Sequence, residues 1–191
     1  MTDYLDDDDV PFGILRMLET LRNQRKFNND ELMRMSDTEK LRVAKEYYAS
    51  LTSYMKARWN IPEWRVEWNG RGNTRMGYMA STTIQNKVVV AMIRYNGEKL
   101  KQHPYELIYN TIPHELAHAL EVHLTSQRSS HGNLWRQLCL HLGGNGQRCA
   151  NLRQGQQHQP QARRPRPIQP RFNMVEVFNR AETLLQHLHQ H

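Results

Sequence analysis

Cysteine is scarce in this 191-residue chain, with only Cys139 and Cys149 present. Two thiols make no disulfide framework, and Cys139 sits in an apolar helical pattern that predicts a buried core thiol. Long hydrophobic runs are missing as well. No stretch of eighteen apolar residues occurs, so no membrane-spanning helix and no membrane partner are expected. The chain does not open on a basic segment followed by an apolar one; Asp6 to Asp9 stand there instead. The expectation is an intracellular protein of a bacterial or phage-infected cytoplasm. Two further absences are positional. No Asp or Glu occurs between Glu121 and Glu176, and every cation after Lys101 is an arginine, nine in all. The first removes carboxylates from whatever chemistry that region performs. The second favours planar, forked contacts to phosphates and bases.

The hydrophobic content of 38% suffices for one domain-sized core with chain left over for tails. The net charge of +7 fits a polyanionic partner, and equally a merely soluble surface.

The residues with the clearest chemistry lie in Thr111-Ile112-Pro113-His114-Glu115-Leu116-Ala117-His118-Ala119-Leu120. The segment reads as a helix, where residues four apart share a face. His114 and His118 can therefore point ring nitrogens at a single metal ion. Glu115, about 100° further round the axis, addresses a water rather than the ion. Two neutral imidazoles, an open position and a carboxylate to take a proton are the parts of a hydrolytic zinc site.

A third protein ligand has few sources. With no acid between Glu121 and Glu176, a distant carboxylate is excluded. Glu121 lies on the His114 face but about 10 Å along the axis at 1.5 Å per residue, which suits it better to support a histidine than to bind the ion. His123 is about 180° round the helix from His114 and faces away. His141 falls in the next helical pattern and His158 in a low-complexity segment. His131 ends the polar loop Thr125 to Ser130 and precedes Gly132 and the apolar run Leu134, Trp135, Leu138, Leu142. A loop folding back after the helix brings His131 to the metal, and it is the expected third ligand.

His114-Glu115-Leu116-Ala117-His118, then His131-Gly132 and Trp135, with Pro113 in front, resembles the SprT/Spartan metalloprotease domain, whose signature is HExxH followed by HGxxW. The resemblance covers residues 37 to 145. It implies an α+β, zincin-like fold, helices packed on a small three-stranded sheet with the HExxH helix. It also implies one Zn²⁺ ion, protein substrates, and DNA-dependent cleavage of proteins attached to DNA. The metzincin pattern is not met, because Glu121 and Leu124 stand where it needs Gly and His. Many relatives continue into a cysteine-rich zinc ribbon, which two cysteines cannot build. Two other readings use the same residues: a different zinc hydrolase, such as a nuclease or deacylase, and a non-catalytic DNA-binding or adaptor protein with structural zinc.

Along the chain, residues 1–9 form an acidic tail with five aspartates. Residues 10–36 contain a helical pattern from Val10 to Phe27, broken at Asn28-Asn29-Asp30. The metallopeptidase domain is expected over 37–150. It opens on the capping box Ser36-x-x-Glu39 and a helix to Trp59, with Leu41, Ala44, Tyr48, Leu51 and Met55 on one stripe. Strands are expected at 64–68, 75–80 and 87–93, with a turn at Asn96-Gly97 leading to a helix near Pro104. Pro113 predicts a kink just before the histidines. Trp68 and Tyr78 read as packing residues, while Arg65, Arg71 and Arg75 give only a weak groove signal. Gly143 to Gly146 end the helix after His131 and read as the domain's edge. Residues 151–171 are an Arg/Pro/Gln-rich flexible linker in which Arg163, Arg164, Arg166 and Arg171 are candidate DNA contacts. Residues 172–191 form an amphipathic helix that either packs back on the domain or meets a partner.

Overall fold

The structure, a computed structural model, describes residues 27–70 and 75–148. All of them lie in one compact unit, Val10–Ala150. The acidic tail, the Val10 helix up to Lys26, the arginine-rich linker and the C-terminal helix lie outside the described residues.

Asn28 does not only interrupt the chain. Its side chain accepts from the Glu31 N–H at 3.0 Å while Glu31 Oε2 accepts from the Asn28 N–H at 2.7 Å. This reciprocal cap opens α1 (Asn29–Arg34), a helix unforeseen because the asparagines read as a breaker. Ser36 and Glu39 form the expected capping box, and α2 follows (Asp37–Trp59), stopped by Asn60 in the left-handed region at φ 50°. Its buried stripe runs through Val43, Ala44, Tyr47, Leu51, Tyr54 and Met55. That is slightly rotated from the expected one, since Tyr47 packs edge-on against Tyr109 while Tyr48 stays half-buried.

Three strands form one mixed sheet in the order β1-β3-β2: β1 (Val66–Gly70), β2 (Gly77–Ile84) and β3 (Lys87–Asn96). β1 runs parallel to β3, and β2 pairs antiparallel with it. Trp64 precedes β1 as a buried loop residue, so the strand begins two residues later than its alternation suggested. β2 and β3 are joined by a two-residue turn, Gln85-Asn86, with φ of 49° and 62°. Positive φ at both positions is the hairpin geometry that matches strand twist.

Trp68 stacks on Tyr95 at 4.8 Å and meets Tyr48 edge-on, a packing residue as expected. Tyr78 lies beneath the Arg94 guanidinium, 5.4 Å from its ring centre. Arg94 and Arg65 are both ion-paired with Glu67, so Arg65 is engaged within the sheet; Arg71 lies outside the described residues.

Asn96 accepts from the N–H groups of Glu98 and Lys99 and so caps α3 (Gly97–Gln102), where only a turn was expected. The short α4 (Pro104–Glu106) leads into a π-helical turn, Leu107–Thr111, and then the central helix α5 (Ile112–Thr125). The Ile112 N–H bonds to the Leu107 carbonyl. Pro113 has no N–H, and its ring would clash with the carbonyl four residues back in a regular helix. The widened turn absorbs that clash immediately before the first histidine, so the expected disturbance takes the form of a π-turn. α6 (Asn133–His141) packs on α5, and α5 in turn lies on β2 and β3. Among the described residues no helix is long and apolar enough to cross a membrane.

Candidate metal centre

α5 is buried nearly all round, with Ile112, Leu116, Ala119 and Leu120 fully enclosed. Apart from His123 on the opposite side, its half-buried residues are His114, His118, Glu121 and Thr125, a stripe at the spacing of one helix face. The packing of the other faces fixes the direction in which that stripe points. Both ends of the helix are tied to the hairpin. Tyr95 Oη donates to the Ile112 carbonyl at 3.5 Å, and the Val88 N–H donates to the Ser126 carbonyl at 3.1 Å.

The loop between α5 and α6 returns His131 to this stripe. His131 Nε2 lies 3.2 Å from His118 Nε2 and 3.2 Å from His114 Nε2. Three imidazole donors from two elements thus converge, all within 4.8 Å of one another. Three nitrogens about 2.0–2.1 Å from a tetrahedral ion would stand about 3.4 Å apart, so the donor set fits a zinc-sized cation. Burial holds His114 down at about 4 and His118 at about 3, and it lowers His131 in the same direction. The rings are therefore neutral near pH 7, as ligation requires.

Trp135 forms the floor of this cluster. It stacks on His118 and meets His114 and His131 edge-on, at 5.2, 4.7 and 4.6 Å between ring centres. Its indole N–H donates to the His114 carbonyl at 3.3 Å. The spacing marked Trp135 as a motif residue; its contact with all three rings came only from the structure.

Glu115, the residue after His114, lies where α5 meets β2, against Gly77 and the Met79 backbone. It is buried, and burial raises its carboxyl to about 7 against the opposing pull of the Met79 backbone amide and the Arg75 charge. Gly77 makes room for it: a Cβ there would stand 3.2 Å from Glu115 Cγ and 3.1 Å from Thr111 Cγ2. Gly77 and Met79 were not foreseen as site residues. The glycine was a possible signal, being the only one within the predicted strand.

The glycine run after α6 also contributes. Gly144 sits so close to Cys139 and Pro113 that a Cβ would stand 2.6 Å from Cys139 Sγ. Past it the chain folds back, and the Gln147 backbone hydrogen-bonds the His114 ring. His123 instead pairs with the Trp59 carbonyl at 3.2 Å, and His141 with Tyr54 Oη at 2.7 Å. Both are half-buried and paired elsewhere, outside this cluster. Glu121 faces the serines of the returning loop rather than the ring nitrogens. His158 and the four tail arginines, Arg163, Arg164, Arg166 and Arg171, lie outside the described residues.

A SprT-like family model matches residues 44–157, a span that holds the three histidines, Glu115 and Trp135. The chain belongs to the SprT-like family. Comparison with curated proteins and with solved structures gives no match. The SprT-like assignment supports a zinc metallopeptidase-like domain, in agreement with a three-histidine cluster that could hold a metal ion.

Proposed function

We propose that this SprT-like chain is a zinc metalloendopeptidase of zincin type acting on DNA-associated proteins. The observation that carries the reading is the convergence of three imidazoles, with the buried carboxyl of Glu115 next in the chain to the first of them. His114, His118 and His131 would hold one Zn²⁺ ion. Structural zinc sites close with four protein ligands, whereas three with a carboxylate alongside is the hydrolytic pattern. When bound, the ion supplies Lewis acidity towards a water and towards the scissile carbonyl.

The remaining work falls to the chain's own groups. Glu115 takes a proton from the attacking water as its oxygen bonds to the carbonyl carbon, and returns a proton to the amine as the C–N bond breaks. A carboxyl that burial brings to about 7 can do both near neutral pH. The Met79 N–H and the absence of a side chain at Gly77 hold it in one orientation. β2 is one of the two edge strands of the sheet among the described residues, and it reaches Glu115 through those same residues. An extended substrate adding to its outer edge would bring a peptide bond to the site.

DNA contact rests on sequence: five arginines and no acid over residues 153–171. Such a tether would raise the effective concentration of proteins on the same DNA. The test is cleavage of a DNA-binding protein with and without single-stranded DNA, using the full chain and a variant lacking 153–171. Cleavage that DNA stimulates, and that loses both the stimulation and its salt dependence on deletion, supports the proposal. Cleavage indifferent to DNA keeps the peptidase and removes the tether. Hydrolysis of nucleic acid or esters with proteins untouched would replace the peptidase with another zinc hydrolase.

A further inference from the structure

Glu121 lies on the metal-facing stripe, one turn beyond His118, and the mechanism above does not use it. Its carboxylate accepts from the Ser129 hydroxyl and from the Ser130 N–H at 3.3 Å. Ser129 Oγ is in turn 2.6 Å from His118 Nδ1. These partners fix the protons. A carboxylate only accepts, and a serine hydroxyl has one proton to give. With that proton committed to Glu121, Ser129 Oγ must accept from His118. The ring proton therefore sits on Nδ1 and the lone pair on Nε2, the atom 3.2 Å from His131 Nε2.

The same contacts hold the loop. Ser129 and Ser130 immediately precede His131, so pinning them to α5 sets where His131 returns. Loop closure and ring orientation thus depend on a single carboxylate. We infer that Glu121 and Ser129 form a latch that selects the metal-binding tautomer of His118 and docks the His131 loop onto α5. Glu121 is a positioning residue, and the inference rests on the metal reading proposed above.

The test compares wild type with Ser129→Ala, Ser129→Thr and Glu121→Gln. Two readouts are taken: zinc affinity by chelator competition, and the ring ¹⁵N spectrum of His118 in the metal-free protein at pH 8. Loss of such outer hydrogen bonds costs about 10- to 100-fold in metal affinity, and that loss is expected for Ser129→Ala and Glu121→Gln, with Ser129→Thr within about threefold of wild type. Wild-type His118 should show the Nδ1–H form, and Ser129→Ala a mixture. Wild-type affinity in Ser129→Ala overturns the latch, as does an equal loss in Ser129→Thr, which would make position 129 a packing residue. If Ser129→Ala does not fold, the nearly isosteric Glu121→Gln decides on the same readouts. A wild type that binds no zinc overturns the metal reading instead, and the tautomer spectrum then judges the latch alone.

Discussion

Glu115 and Gly77 show how closely single residues are constrained around the proposed chemistry. The Gly77→Ala methyl would press on Glu115 Cγ, Thr111 Cγ2 and the Arg94 carbonyl, all at 3.1–3.2 Å. Small misplacements of a reacting group cost about 100-fold, so kcat for peptide cleavage should fall at least tenfold in Gly77→Ala while zinc content stays at wild type. An unchanged kcat would remove Gly77 from the site. Glu115 also makes a prediction about the metal-free protein. Its carboxyl is raised by burial from 4.5 to about 7. The stability associated with its protonated form is fully present below pH 4.5 and lost as pH rises through 7. The buried histidines act in the opposite sense, since protonating them as pH falls below 6.5 destabilises the fold. Glu115→Gln leaves that contribution intact, so it cancels in the comparison. Metal-free Glu115→Gln should therefore gain thermal stability over wild type between pH 5 and pH 8. A Tm difference that does not change across that range contradicts the burial argument. At this scale His114, Glu115, His118 and His131 could be named from spacing and elimination. Met79 and Gln147 could not, because each acts through backbone brought near by the fold, and Gly77 stood out only as the lone glycine of its expected strand.

The elements were legible where local chemistry decides them. The Ser36 capping box and the apolar stripe of α2 located that helix; alternation at 64–68, the segments set off by the turn at 69–73, and the valine run at 88–90 located the strands. What escaped was punctuation whose meaning depends on the neighbours. Asn28 read as a breaker and Asn96 as a turn, yet each caps a helix, because an asparagine side chain can do either. The Gln85-Asn86 turn carried no glycine to announce it, although both residues have positive φ. Converting it to Asn-Gly (Gln85→Asn with Asn86→Gly) should supply the residues this turn prefers, and turn or cap optimisations of this kind add about 0.5–2 kcal/mol. Urea unfolding reads the gain, and a loss would mean that the hairpin depends on these two side chains for contacts of their own. Pro113 was read as a kink, and the chain resolves the same clash with a π-turn. Either outcome follows from the missing N–H; only the packing of Leu107, Ile108 and Tyr109 in the core selects one.

For the molecule as a whole, the α+β class and the three-stranded sheet followed from the order of elements, and family membership from the pairing of two short motifs. The span matched by the family model contains the three histidines that the fold brings together. Five arginines and no acid over residues 153–171 suit phosphate contacts, and deleting that segment tests whether they hold the protein on DNA. Hydrolysis by a three-histidine zinc site with Glu115 as its base ties metal content to activity in a way that two variants separate. The most direct measurement is zinc content and peptide-fragment yield on the same preparations of wild type, Glu115→Gln and His131→Ala, incubated with a DNA-binding protein and single-stranded DNA. Wild type should carry one zinc per chain and yield fragments, Glu115→Gln should carry one zinc and yield none, and His131→Ala should show neither. Fragments from zinc-loaded Glu115→Gln at the wild-type rate would rule out Glu115 as the base.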